Sequence, residues 1–183
     1  MNKPFQQGHL DGLCGVYALV NAVHLLCGLT HEQAQALFLA CLSTLDQRGS
    51  LARHCVAGLS IHDMTLILKR VICNGYPIVR SKPFHRQPHV DEHLFLQAIT
   101  EFLEHPHTVV LTSIGGLHDH WTLFSRITPH TIQLYDSGGL NYLLTRSCSC
   151  GSGNNSSSSS IKTDKPKRHQ LLPTHTYFLQ RRT

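Results

Sequence analysis

The hydrophobic pattern of this chain changes period once, near Thr108, and that change restricts the fold more than any other feature. Before it, apolar residues recur every three to four positions. After it, β-branched and apolar residues gather in short runs separated by turns. Leu13, Val16, Tyr17, Val20, Val23 and His24 form the first helical stripe, from Leu13 to Leu26. Asp11 or Gly12 is its expected N-cap, and Gly28 its left-handed stop. A second helix is expected from about Thr30 to Leu45, opened by the capping-box spacing of Thr30 and Gln33. A third runs from about Ser60 to Cys73, between a Ser60/Asp63 cap and the stop Asn74-Gly75, and a fourth from about Val90 to Glu104. Strands are expected over Thr108 to Ile114, His120 to Ile127, Thr131 to Asp136 and Thr174 to Arg181, with a short one over Tyr76 to Val79. Helices first and an antiparallel sheet second define an α+β class.

At 183 residues the chain is long enough to bury a core without disulfide staples, and it is read as a single domain, 1–183. A flexible Gly/Ser/Asn-rich insertion is expected at about 148–165, before the last strand. The net charge of +5 is mild. No basic stripe interleaved with aromatics is present, so a nucleic-acid partner is not expected. No apolar segment is long enough to span a membrane, and no cleavable signal peptide opens the chain. The seven cysteines are read as free thiols in a reducing cytoplasm, or in a protein secreted by a route without a cleavable signal. The fifteen histidines are scattered, not set at metal-ligand spacing. No metal and no cofactor are expected. Cys148-Ser-Cys150 is read as an exposed, oxidisable pair beside the flexible loop.

Two histidines compete for a catalytic place beside the hairpin of the second and third main strands. If Ile127 faces Thr131 across the turn Thr128-Pro129-His130, then His120 lies opposite Gly138, with Asp136 as its diagonal neighbour on the same face. His118 shares that parity but falls a step further away, and Asp119 points to the other face. A one-residue slip of register would separate the pair. An imidazole fixed by a carboxylate serves to activate a nucleophile. Cys14 is the thiol at a helix start, where unpaired N–H groups favour a thiolate, and it follows a glycine-containing turn. Oxyanion donors are then needed: the Cys14 N–H is one, and Gln6 or Gln7 offers a side-chain amide.

The run Gln6-Gln7-Gly-His-Leu-Asp-Gly-Leu-Cys14-Gly15, continuing into Tyr17-Ala18-Leu19-Val20-Asn21-Ala22, resembles the start of papain-like cysteine peptidases. His120-Trp121 and Tyr135-Asp136-Ser137-Gly138-Gly139 resemble the second half of the same signature. Compact members of that superfamily, of bacterial effector, toxin or Josephin-like type, have a similar layout. The resemblance implies a papain-like fold with Cys14 as nucleophile, His120 as base, Asp136 as the residue orienting the base, and Gln6 or Gln7 in the oxyanion hole. The Gln7-to-Cys14 spacing is slightly longer than papain's. The motif lies so near the N-terminus that no inhibitory pro-segment is expected. The function implied is hydrolysis of a peptide, isopeptide or side-chain amide bond through a thioester. Deamidation, transglutamination and acyl transfer on the same triad are the first alternative, and an inactive binding module of the same fold is the second. The expected partner is a protein or peptide substrate, with an immunity or inhibitor protein if the chain is a toxin.

Overall fold

The structure, a computed structural model, describes residues 3–49, 51–151 and 169–182. It is α+β: five helices and an eight-stranded sheet, antiparallel but for one pair. Helix α1 (Cys14–Cys27) is followed by α2 (His31–Asp46), α3 (Leu51–Ala57) and α4 (Ile61–Ile67). Helix α4 continues through a π-helical stretch (Leu68–Ile72) and a last turn (Cys73–Gly75). After β1 (Ile78–Ser81) and α5 (Glu92–Leu103) come β2 (Thr108–Gly115), β3 (His120–Ile127) and β4 (Thr131–Leu134). The chain then adds β5 (Tyr142–Leu144), β6 (Cys148–Cys150), β7 (His169–Leu171) and β8 (Tyr177–Arg181). The sheet order is β1-β8-β2-β3-β4-β5, with β7 paired to the Gly115 end of β2 and β6 parallel to β7.

Local chemistry explains most boundaries. Both capping boxes form: Thr30 with Gln33 opens α2, and Ser60 with Asp63 opens α4. Gly28 ends α1 at φ 72°, where its N–H bonds the His24 carbonyl. The start of α1 differs from expectation. Its N-cap is Leu13, and Asp11 acts from two residues back, where Oδ1 accepts the Leu13 N–H at 3.0 Å. Helix α3 was not expected: it buries none of its residues, so no apolar stripe announces it. The expected insertion is corrected at its start. Residues 148–150 form β6, with Cys148 buried and Cys150 half-buried, so they are not an exposed pair. Residues 152–165 of that insertion lie outside the described residues.

The sheet is covered on both faces. Val109, Leu111, Trp121, Leu123, Tyr135 and Leu179 join the core built on α1, α2 and α4. Val110, Ile114, Phe124, Ile132 and Phe178 join a second core closed by Phe95 and Ile99 of α5. The alternation is the period-2 signature of strands buried on both sides. Helix α1 is buried almost all round, with Val16, Leu19, Ala22 and Val23 fully inside. Each such Leu or Val contributes about 1.5–3 kcal/mol.

One polar residue interrupts that helix. Asn21 is fully buried and clasps the backbone of Phe5, accepting its N–H at 2.8 Å and donating to its carbonyl at 3.0 Å. The Phe5 ring packs on His24, 4.9 Å between centroids. The N-terminal segment is thereby fastened along α1. Asn21→Ala leaves two buried backbone groups unpaired and should cost about 2–3 kcal/mol of unfolding free energy. Urea titration of the variant beside the wild type measures this.

Candidate active site

Asp136 is a buried charge with donors on both oxygens. Its side chain has no exposed surface. One oxygen, Oδ1, meets His120 Nε2 at 2.6 Å. The other, Oδ2, accepts the Gly138 N–H at 2.8 Å and the Leu140 N–H at 3.1 Å. The Asp-Ser-Gly-Gly sequence is therefore a turn wrapped around its own carboxylate. A Cβ on Gly138 would stand 3.2 Å from Asp136 Oδ2, a tight contact, and 3.5 Å from His120 Cε1, so a larger residue would crowd the carboxylate.

A β-bulge brings the pair onto one face. Near the turn the register is Ile127↔Ile132, one residue off the expected Ile127–Thr131 pairing. Continued unchanged, that register would put His120 and Asp136 on opposite faces. The irregularity between Phe124 and Arg126 absorbs one residue, and beyond it Phe124 pairs with Leu134. The Tyr135 N–H then bonds the Leu123 carbonyl at 2.9 Å, in the same corrected register. The bulge also lets Phe124 and Ile127 both reach the α5-side core. Strand β4 itself ends at Leu134, two residues before the expected limit, because the chain turns to enclose Asp136.

His120 pairs with Asp136 beside Cys14. Its Nε2 is held by Asp136, and Cys14 lines the same cleft, near enough for its thiol to add to the upward shift of the His120 pKa. Burial disfavours the charged imidazole. The hydrogen bonds of Asp136 and Cys14, and their charges, outweigh it and hold the His120 pKa up at about 9. Asp136 is displaced downward: burial opposes its ionisation, but the hydrogen bond and charge of His120 and the Leu140 N–H prevail. His118, by contrast, is exposed and stacks on His169 at 5.6 Å, away from Asp136.

Cys14 opens α1, and the turn before it is closely supported. The Gly12 N–H bonds the Cys55 carbonyl at 2.6 Å. A Cβ on Gly12 would meet Gly58 N and Val56 O at 3.0 Å, so the end of α3 abuts the nucleophile turn. The two glutamines have distinct partners. Gln7 Nε2 donates to both the carbonyl and the carboxylate of Asp11, while its backbone N–H bonds the Ser137 carbonyl at 2.9 Å. Gln6 Nε2 donates to the carbonyls of Pro4 and Asp136, each at 3.3 Å. Each amide thus uses both of its N–H groups, and neither has one left for an oxyanion in this arrangement. The Cys14 N–H sits in the first helical turn, where no intrahelical acceptor exists.

Cys14 and His120 share a cleft of about 260 Å³ with Leu59, Trp121 and His175. Trp121 is buried, donates its indole N–H to the Leu59 carbonyl at 3.0 Å, and stacks on His175. The indole therefore forms a wall of the cleft. Asn21 is the positioning residue that sequence reasoning missed, and an Asn inside an otherwise apolar stripe is the signal that marks it. Among the described residues, no group of three or more His, Cys, Asp or Glu is placed to hold a metal. No helix among the described residues is long and apolar enough to cross a membrane. No protein-family model and no curated protein matches the chain.

The His120–Asp136 pair has a sign-definite pH signature. A pKa raised from 6.5 to about 9 stabilises the fold fully below the unfolded value, and that contribution is lost as pH rises through the folded one. The lowered Asp136 pKa acts in the other direction, and its contribution is lost in acid. The stability gap between wild type and His120→Gln should therefore narrow between pH 6.5 and pH 9–10, as followed by thermal melting.

Proposed function

We propose that this protein is a cysteine hydrolase of papain-like fold that acts on amide bonds of proteins or peptides through a thioester. The observation that carries this reading is His120, held by a buried carboxylate at 2.6 Å, sharing a cleft with a thiol at a helix start. With His120 held as the imidazolium, the Cys14 thiolate adds to the substrate carbonyl carbon. The tetrahedral oxyanion takes the Cys14 N–H as donor, and Gln7 adds a second if it releases Asp11. Collapse expels the amine, which leaves with the proton from His120. His120 then draws a proton from water, water attacks the thioester, and the acid departs. The papain-like assignment is supported by the buried nucleophile helix, packed on an antiparallel sheet that carries the base and its orienter.

The substrate bond is a peptide, isopeptide or side-chain amide, and the acceptor of the acyl group separates hydrolysis from transfer. Incubation with a mixture of glutamine-containing proteins, read by mass spectrometry, distinguishes chain cleavage from a one-dalton deamidation or a cross-link. Wild type should cleave chains and carry a hydroxylamine-labile acyl adduct on Cys14. Cys14→Ala should do neither, and His120→Ala should be slower by about 10²–10⁴-fold. Full activity of Cys14→Ala would refute the reading.

A further inference from the structure

The catalytic cleft holds a second imidazole that the proposed reaction does not use. His175 lines the cleft together with Cys14, His120, Leu59 and Trp121. It ends the 3₁₀ turn Pro173–His175, which lies between β7 and β8. That turn is firmly seated. Pro173 is buried, the His175 N–H bonds the Leu172 carbonyl at 2.9 Å, and the Thr176 N–H bonds the Pro173 carbonyl at 3.1 Å. Thr176 is itself fully buried, and its hydroxyl meets that of Thr112 in β2 at 2.7 Å. The His175 ring is stacked on Trp121, with 6.0 Å between centroids and 17° between planes. Trp121 is in turn fixed by its bond to Leu59. The imidazole is therefore presented by a rigid wall, which suits a binding group.

The ring is held by stacking, but its polar atoms are uncommitted. Among the described residues, neither ring nitrogen has a hydrogen-bond partner. Burial pushes the His175 pKa below its ordinary value, and the charge of Lys82 adds to this, so the ring is neutral at pH 7. A neutral imidazole has one N–H and one bare nitrogen. A carboxylate can use only the first of these, and an ammonium only the second. An amide can use either: its carbonyl accepts from the ring N–H, and its own N–H donates to the bare nitrogen. The match to an amide therefore holds for both tautomers.

We propose that His175 is a substrate-binding residue that hydrogen-bonds an amide group of the substrate other than the one cleaved. The proposal rests on the amide-hydrolase reading and adds a recognition group to it. A main-chain amide and the side-chain carboxamide of an Asn or Gln present the same chemistry.

The test uses a synthetic peptide that wild type cleaves, chosen from a proteome-derived peptide library, and two variants whose melting temperatures check folding. His175→Phe keeps an aromatic ring against Trp121 and removes both nitrogens. It should raise KM about tenfold with kcat held, while iodoacetamide alkylates Cys14 at the wild-type rate. His175→Gln, which keeps a donor and an acceptor, should lose less. The partner is located by replacing each uncleaved peptide amide with an ester, and each carboxamide side chain with Leu or Met. The change that slows wild type but costs His175→Phe nothing further marks the contacted group. An ester at that place identifies a main-chain amide, and a side-chain replacement identifies a carboxamide. A wild-type KM in His175→Phe overturns the proposal and leaves the ring as a cover for Trp121. So does an equal loss in Cys14 alkylation, a larger loss in His175→Gln than in His175→Phe, or costs that simply add at every position. Each of these leaves the hydrolase reading intact. No cleavage at all, with no acyl adduct on Cys14, defeats the hydrolase reading and the proposal together.

Discussion

A carboxylate with no surface in water must find donors for both oxygens, because an unpaired buried charge costs several kcal/mol, about 3–5 when one partner of a buried pair is removed. Asp136 meets this demand with the His120 ring and two backbone N–H groups of its own turn. Much of the site follows from that satisfaction. Glycine at 138 suits the turn, because a Cβ there would crowd the carboxylate at 3.2 Å. The hairpin must carry a bulge, because without it the two groups face apart. The N-terminal segment is fastened to the same turn through Gln6 and Gln7, and to α1 through Asn21. One buried charge thus links the sheet end, the N-terminal segment and the nucleophile helix.

The chain's chemistry concentrates where these three parts meet. Burial pushes the Cys41 thiol up to about 12 and Cys148 to about 11. Cys14 instead lines a cleft with an imidazole that a buried carboxylate holds. The cleft over it is walled by Trp121, whose indole is pinned to Leu59.

How much of this was legible in the sequence depended on the range of the interaction concerned. The starts at Thr30 and Ser60 are four-residue codes, so they could be read directly. The stop at Gly28 depends on one residue's φ and was equally plain. The proximity of His120 and Asp136 could be argued from strand parity, but the hairpin pairing near its turn is one residue off the simple expectation. The bulge corrects it because Phe124 and Ile127 must both meet the α5-side core, a demand that local sequence does not display. Helix α3 had no buried stripe to reveal it, and β5, β6 and β7 are three-residue strands defined by their partners. The glutamines were indistinguishable by spacing; the fold separates them, sending one amide to Asp11 and the other to Pro4 and Asp136.

The central claim is that His120 activates Cys14. Competitive alkylation with limiting iodoacetamide at pH 6, with peptide mapping of all seven thiols, tests it most directly. Cys14 should be modified well ahead of the other six in the wild type, and that lead should vanish in His120→Ala while the remaining thiols keep their order. Alkylation of Cys14 no faster than the rest, or a lead that survives the loss of His120, would contradict the account.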